Sequence, residues 1–471
     1  MLSIRPLPHR FPADSSLVYT APVRPVIAAI VLWMLAFAAR WMAVDLAVVG
    51  SDSLGPYLQA WSLSWEWLPK PPNPESGDAL WYLALPLVHS AASLEQLFQL
   101  RMAAGALVAP AAFAAAWWFL PHHIRSPQRW TAGLTAGMVV ATDPGLIDTL
   151  ISGARSYAAP ELVGLATAAL ALALRGSRPA ALISAILLVM ASDHHPLAAG
   201  FLLAALGLIR PLRCALGRSG LKLAIGAALV MALPRIIRTT AVALCGQGPL
   251  KCLANIATSN VAQSEALRPV IERALHDRFA VDLGWGWMIV ALGVGLALFR
   301  RRERTASTWA ITGLCGVVLV GASVGYVRSY HLRIAAVPIA VAAAIGLSRW
   351  WPIGWVALIA VTIRGHLDPP VGPDPGASQR ADAIATSVAE IPGSIWVDQL
   401  WWNGPAKVDA SAVVLSALLS GQPAERFFTH PQASFVLLTA GNGPAVPGKI
   451  LMAGDGWAAV RMANVEAAKR W

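Results

Sequence analysis

Apolar runs long enough to cross a bilayer recur along most of this chain, and they constrain it more than any single motif. A helical span needs about 20 mostly apolar residues. Eleven segments approach or meet that length: 25–44, 101–120, 131–148, 159–174, 179–193, 196–209, 223–244, 283–299, 307–327, 332–348 and 351–364. The fifth and sixth are short, so they read either as tilted spans or as re-entrant segments meeting at Pro196. Composition agrees. The chain is 56% hydrophobic and 13% charged, against about 25% charged in an ordinary soluble domain, and its mean hydropathy is +0.58. A disordered chain, a collagen-like fibre and a small disulfide scaffold are excluded. The expected fold class is an all-α polytopic membrane protein of about 11 transmembrane helices.

The formal charge of +11 is not the footprint of a nucleic-acid binder, which carries its cations on a polar, solvated surface. It sorts by side instead. With the N-terminus inside, the short inner segments hold sixteen cations, among them Arg125, Arg129, Arg175, Arg178 and Arg300, and two anions, Asp14 and Glu303. The remainder holds 20 cations and 23 anions. A balance of +14 inside and −3 elsewhere obeys the rule that places Lys and Arg on the cytoplasmic side. The expected localisation is therefore the inner (plasma) membrane, multi-pass, with the N-terminus cytoplasmic and the C-terminus extracytoplasmic. Arg5, Arg10 and Arg24 precede the first run as in a signal peptide. That run is too long for a signal core and no A-x-A site follows it, so it reads as an uncleaved anchor.

Three units follow: an N-terminal segment 1–24, a membrane domain 25–364, and a tail 365–471. The first outer loop, 45–100, is rich in Trp and Tyr around a Pro-rich turn, as interface-lying helices are. The second large outer loop, 245–282, contains Cys245 and Cys252 in CGQGPLKC and ends in the charged run EALRPVIERALHDRF. Six residues with a Gly-Pro turn can close a small disulfide between the two cysteines in an oxidising compartment; two free thiols are the alternative. The tail alternates helix-like and strand-like stretches after the linker DPPVGPDPGAS, and reads as a small extracytoplasmic α/β domain.

Ionisable residues crowd the outer ends of the runs rather than their middles. Asp45 and Asp52 follow the first. Asp143, Asp148, Arg155, Tyr157 and Glu161 surround the junction of the third and fourth, and Asp193, His194 and His195 join the fifth and sixth. Arg235 and Arg238 lie in the outer part of the seventh, and Arg328, Tyr330, His331 and Arg333 lie between the ninth and tenth. Transporters place such groups in mid-span; a belt at the interface suits an enzyme acting on a lipid head group.

At these residues the chain resembles the GT-C superfamily, integral-membrane glycosyltransferases that use polyprenyl-phosphate sugars and include the protein mannosyltransferases and the lipid A aminoarabinose transferases. GSDSLGPYLQAW matches the acidic motif of their first outer loop, with Asp52 at the acid and Tyr57 at the aromatic; Ser53 replaces the second acid of that motif. DPGLIDTLISGARSYAAPELVGL matches at Arg155 and Tyr157, ASDHHPLAAG at His194 and His195, and YVRSYHLRIAAVPIA at Arg328, Tyr330, His331 and Arg333. The resemblance covers most of 25–365. It implies inverting transfer of one sugar from a polyprenyl-phosphate donor to a lipid, glycan or protein acceptor at the outer membrane face. Asp52 is then the general base, with Asp45 as a second acid, and the arginines face the phosphate.

Sugar transfer needs a carboxylate at the acceptor hydroxyl and a guanidinium fork at the leaving phosphate. Each residue also has a plainer reading. Asp52 in Ser-Asp-Ser suits a helix N-cap, Arg328 and Arg333 can snorkel to head groups, and Arg155 can pair with Asp148 or Glu161. Asp193-His194-His195 with Asp52 admits a divalent metal ion. A transporter or flippase of lipid-linked glycans, or a non-catalytic envelope assembly protein, are the alternative functions. No nucleic-acid partner is expected; membrane lipids are.

Overall fold

In the computed structural model of the chain, the residues described are 23–43, 94–121, 124–151, 158–244, 267–284, 286–300, 303–323, 327–367, 377–397, 410–423, 426–428, 435–440, 448–454 and 457–462. Among them, a helical bundle precedes a small sheet. The helices are α1 (Val23–Ala43), α2 (Leu94–Ala106), α3 (Val108–Phe119), α4 (Ser126–Ala141), α5 (Pro144–Ile151), α6 (Ala158–Ala173), α7 (Arg178–His194), α8 (Ala199–Gly207), α9 (Ile209–Leu244), α10 (Leu267–His276), α11 (Gly286–Phe299), α12 (Arg304–Ser323), α13 (Ser329–Leu332), α14 (Ala336–Leu347) and α15 (Trp351–Leu367). The tail contributes α16 (Ala377–Ala389), β1 (Ile395–Val397), α17 (Ala410–Leu419), β2 (Phe427–Phe428), β3 (Phe435–Ala440), β4 (Lys449–Gly454) and β5 (Trp457–Met462).

Among the described residues, four stretches are long and apolar enough to cross a membrane: Arg24–Met42, Gln99–Phe119, Ile209–Leu233 and Arg304–Ser323. Four more apolar stretches are shorter: Ala158–Ala173, Pro196–Gly207, Gly286–Phe299 and Arg333–Leu347. Small side chains set how closely they pack. Ala109, Ala112, Ala116, Ala132, Ala136 and Ala344 are fully or almost fully buried in one shared core, where the lack of bulk lets backbones approach. At Gly316 an added Cβ would come within 2.5 Å of the Gly200 carbonyl oxygen, so α8 and α12 touch backbone to backbone. Buried polar links add specificity, as where the Trp309 indole N–H donates to Thr167 Oγ1 at 3.1 Å.

The bundle departs from the runs read in the sequence at three places. The run 131–148 is not one helix. It ends at Ala141, and Asp143 starts the short α5 by accepting the N–H groups of Gly145 and Leu146 at 2.9 and 3.3 Å. The helix that holds residues 223–244 begins before them. The basic segment before them is itself helical, and α9 is two helical stretches broken at Gly217, whose φ of 74° and ψ of 174° are non-helical and suit glycine, so residues 223–244 belong to a second stretch that starts earlier than the apolar run. Around Pro196, His195 caps a one-turn 3-10 helix, Pro196–Ala198, by accepting the Leu197 N–H on its ring Nδ1 at 3.3 Å.

The sheet has the order β2-β1-β3-β5-β4. β1 is parallel to β2 and β3, β5 runs antiparallel to β3 and β4, and the β4–β5 ladder is irregular between Ile450 and Met452. α17 is largely apolar and buried from Ala412 to Leu418, with the Ser416 hydroxyl donating to Asp382 of α16, as suits a helix that other layers enclose. Its core also includes Met102 of α2, with Phe37 and Trp41 of α1 packed against it. The sheet domain thus docks on the end of α1 near Arg40 and the adjoining part of α2.

Candidate functional site: the charged end of the bundle

That same end collects the buried charge. Arg40 lies near the end of α1, Arg101 in α2, Asp143 between α4 and α5, and Glu161 in the first turn of α6. His194 and His195 end α7, and Arg333 follows α13. After α10 the chain widens into a single π-helical turn, Asp277–Asp282, a feature often found at functional sites. This turn brings Arg278 and Asp282 into the cluster.

Four of these groups form one network. Arg278 grips Asp143 with both ends of its guanidinium: Nη1 donates to Oδ1 at 3.0 Å and Nη2 to Oδ2 at 2.6 Å. Arg278 Nη1 also donates to Asp282 Oδ2 at 3.2 Å. Arg333 donates to the same carboxylate, from Nε to Oδ2 at 3.0 Å and from Nη2 to Oδ1 at 3.2 Å. Side-chain exposure is only 3% for Arg278, 4% for Asp143, 8% for Arg333 and 14% for Asp282. Two cations and two anions cancel, which makes so deep a burial tolerable. Burial alone would lower the Arg278 guanidinium, but the charges and hydrogen bonds of Asp143 and Asp282 outweigh it and hold the group above its ordinary value. Gly145 leaves the necessary room: a Cβ there would lie 2.5 Å from Arg278 Nη1, 2.6 Å from Asp282 Oδ2 and 2.8 Å from Arg333 Nε.

A second group sits beside it. Arg101 pairs with Glu161 at 3.3 Å. Arg40, 1% exposed, donates to the Ala36 carbonyl at 3.0 Å, within electrostatic reach of Glu161 and Asp143. Two buried atoms here, Arg40 Nε and Glu161 Oε1, have no hydrogen-bond partner among the described residues. Orphaned buried polar atoms of this kind call for a water, an ion or a ligand group.

The third group is a histidine pair. The His195 and His331 rings lie 4.7 Å apart between centroids, tilted by 41°. His331 is fully buried, and its Nδ1 accepts the Arg328 backbone N–H at 3.0 Å. With Nδ1 accepting, the neutral ring carries its proton on Nε2. Burial, then the neighbouring His195 and Arg328, push His331 down to about 2. At neutral pH it is a hydrogen-bonding group rather than a proton donor.

No family model matches the sequence, and no curated protein matches it. Solved structures do. ArnT from Cupriavidus metallidurans bound to undecaprenyl phosphate is similar over 93% of this chain and 97% of its own, with 13% identity and a TM-score of 0.55. Its apo structure gives the same coverage and a TM-score of 0.54. The fold is GT-C. The apo oligosaccharyltransferase of Archaeoglobus fulgidus is similar over 85% of this chain, with 12% identity and a TM-score of 0.50. This chain spans 64% of that protein's length.

Within the GT-C fold the residues singled out from the sequence divide. Asp45, Asp52, Tyr57, Arg155, Tyr157, Cys245 and Cys252 lie outside the described residues. Tyr330 lies in α13, and Arg235 and Arg238 lie in α9. His194 is buried, Arg328 is exposed, and Arg333 is buried against Asp282. Arg40, Arg101, Arg278 and Asp282 were not singled out. Arg40 alone carried a signal, as an arginine inside an apolar run. Among the described residues no group of three or more His, Cys, Asp or Glu side chains is placed to hold a metal ion. Asp143 and Asp282 are both committed to arginines.

Proposed function

We propose that the chain is an inverting membrane glycosyltransferase that moves one sugar from a polyprenyl-phosphate donor to a lipid, glycan or protein acceptor at the outer face. The observation that carries this reading is the concentration of buried charge, with the orphaned Arg40 Nε and Glu161 Oε1, at one end of a GT-C fold. ArnT, with the same fold, has been crystallised with undecaprenyl phosphate. The +14 balance of the short inner segments supports an inner-membrane placement with this end outside.

In the proposed reaction the acceptor hydroxyl attacks the anomeric carbon from the face opposite the phosphate. Its proton passes to the Asp52 carboxylate, with Asp45 nearby in sequence as a second acid. The C–O bond to the phosphate breaks, and the lipid phosphate leaves with the electron pair. Arg155 and the exposed Arg328 supply positive charge to that phosphate. Arg333, whose charge Asp282 already matches, holds the entry to α14 in place. Tyr57, Tyr157, Tyr330, His194, His195 and His331 offer hydrogen bonds to the sugar. Positioned proton transfer is worth about 10²–10⁴-fold in rate.

The test is transfer of radiolabel from polyprenyl-phosphate sugars into membrane extracts, wild type against Asp52→Asn. A loss of at least about 10²-fold is expected. Equal transfer by both proteins ends the base assignment. Absence of transfer from every donor, with lipid-linked glycan flipping intact, ends the enzyme reading in favour of a flippase.

A further inference from the structure

The opposite end of the bundle holds a different feature. Between the first half of α1, the length of α3 and the chain after α6 lies an open-sided groove of about 1070 Å³. This is at the upper end of the ~300–1,000 Å³ usual for ligand pockets. Its walls are apolar: Val26, Ile30, Trp33, Leu107, Phe113 and Trp117. Val26 and Ile30 are 51% and 50% exposed, and Leu107 is 46% exposed. The groove therefore opens on the surface that α1 turns toward lipid. From Val26 to Trp33 it follows α1 for about 10 Å at the helical rise of 1.5 Å per residue, in the direction a lipid chain would take.

Its rim is cationic. Arg129 donates from Nη2 to the Trp117 carbonyl at 3.1 Å and stacks 4.6 Å above the Trp117 ring centre. Arg175 donates from Nε to the Trp118 carbonyl at 2.7 Å, and from Nη2 to the Leu120 carbonyl. Both lie against the carbonyl end of α3, and Arg175 lies in the repulsive field of Arg129. Arg129 Nε is buried with no hydrogen-bond partner among the described residues. None of the groove's described lining residues is acidic. Ser177, also on the rim, caps the positive end of the 17-residue α7 by accepting the Ala180 N–H at 3.4 Å.

We infer that this groove binds one anionic phospholipid, with an acyl chain against Trp33, Leu107 and Phe113 and the phosphate between Arg129 and Arg175. A phosphate there relieves the repulsion between the two guanidiniums, supplies an acceptor at the rim, and faces a helix N-terminus. Basic pockets between membrane helices on the cytoplasmic side are known to select such head groups. The site is separate from the charged end and does not depend on the sugar-transfer reading.

The experiment uses the delipidated full chain in detergent and follows retention of added lipid by native mass spectrometry, with thermal unfolding in parallel. Phosphatidylglycerol is expected to bind as a single retained molecule and to raise the unfolding temperature. Phosphatidylcholine and inorganic phosphate at equal concentration are expected to do neither. Arg129→Gln/Arg175→Gln should bind phosphatidylglycerol at least about tenfold more weakly, at about 1 kcal/mol per cation near a phosphate surface. Because those arginines also tie down α3, Ala114→Trp serves as the second variant: it fills the groove and leaves both guanidiniums in place. It should abolish retention while unfolding as the lipid-free wild type does. Equal binding of phosphatidylcholine, unchanged retention in Ala114→Trp, or preferential displacement by polyprenyl phosphate would each overturn the inference.

Discussion

The two ends of the bundle handle arginine in opposite ways. At the charged end, Arg278 and Arg333 are answered by carboxylates, and the network is neutral and largely buried. At the other end, Arg129 and Arg175 are answered by backbone carbonyls of α3. Arg300 there divides its hydrogen bonds between Glu303 and the Gly346 carbonyl, each at 3.1 Å. A carbonyl satisfies a donor but leaves the charge uncancelled. The first end is therefore locked internally, and the second leaves the charges of Arg129 and Arg175 uncancelled. Charge-for-charge pairing fixes geometry; charge-for-carbonyl pairing preserves electrostatic reach.

The largest effect expected from this contrast is at Arg278. Arg278→Met strands Asp143 in a buried site, and breaking a buried pair by removing one partner costs about 3–5 kcal/mol. Thermal unfolding in detergent should show it, and Arg278→Met/Asp143→Leu should recover much of the loss. If the double variant is as unstable as the single one, the network's cost is not electrostatic. Gly145→Ala comes next. Its Cβ would overlap three charged side chains at once, and overpacking of this kind costs about 1–3 kcal/mol.

The histidine pair makes the charged end sensitive to acid. His331 in the folded protein titrates far below its ordinary value of 6.5, so an unfolded chain takes up the proton first. Stability is then full above about pH 6.5 and falls as the pH drops toward about 2, by up to about 1.4 kcal/mol per pH unit. Unfolding temperatures measured from pH 7.5 to 5 should decline. His331→Gln, which keeps an acceptor for the Arg328 N–H but cannot be protonated, should flatten the decline. An identical slope in both proteins would place the acid-sensitive group elsewhere.

The helical, apolar character of the GT-C fold was legible because its signal is local: the apolar length of the runs. The charged network was not legible, because its decisive contact joins Asp143 and Arg278 across 135 residues. In the sequence Asp143 stood only among the acids at the ends of the runs, and Arg278 only within the charged run EALRPVIERALHDRF. The sequence did not reveal that α10 ends at His276 and that a π-helical turn then sets Arg278 and Asp282 in the cluster. In the tail, α17 was readable as a continuous apolar run, whereas the edge strand β4 follows the Gly- and Pro-rich GNGPAVPG and offers little alternation of its own. Arg333 shows the limit most directly: its motif gave the position, but only the fold gave Asp282 as its partner.

The smallest predicted effect is the one that separates the two ends most cleanly. Arg129→Met removes one charged donor to the Trp117 carbonyl and one cation–π contact, but it strands no opposite charge. The carbonyl left behind belongs to a helix end, where water or lipid head groups can replace the donor. The expected loss is about 1–2 kcal/mol, the range of a hydrogen bond to a charged group, and Arg129→Lys should retain part of it. Comparing Arg129→Met with Arg278→Met by thermal unfolding over a range of salt concentrations tests the contrast. Salt should barely move the Arg278 effect, since a buried pair is poorly screened. A loss at Arg129 as large as that at Arg278 would mean that the carbonyl-bound arginine is as deeply committed to the fold as the carboxylate-bound one. The uncancelled charge would then be a by-product of packing.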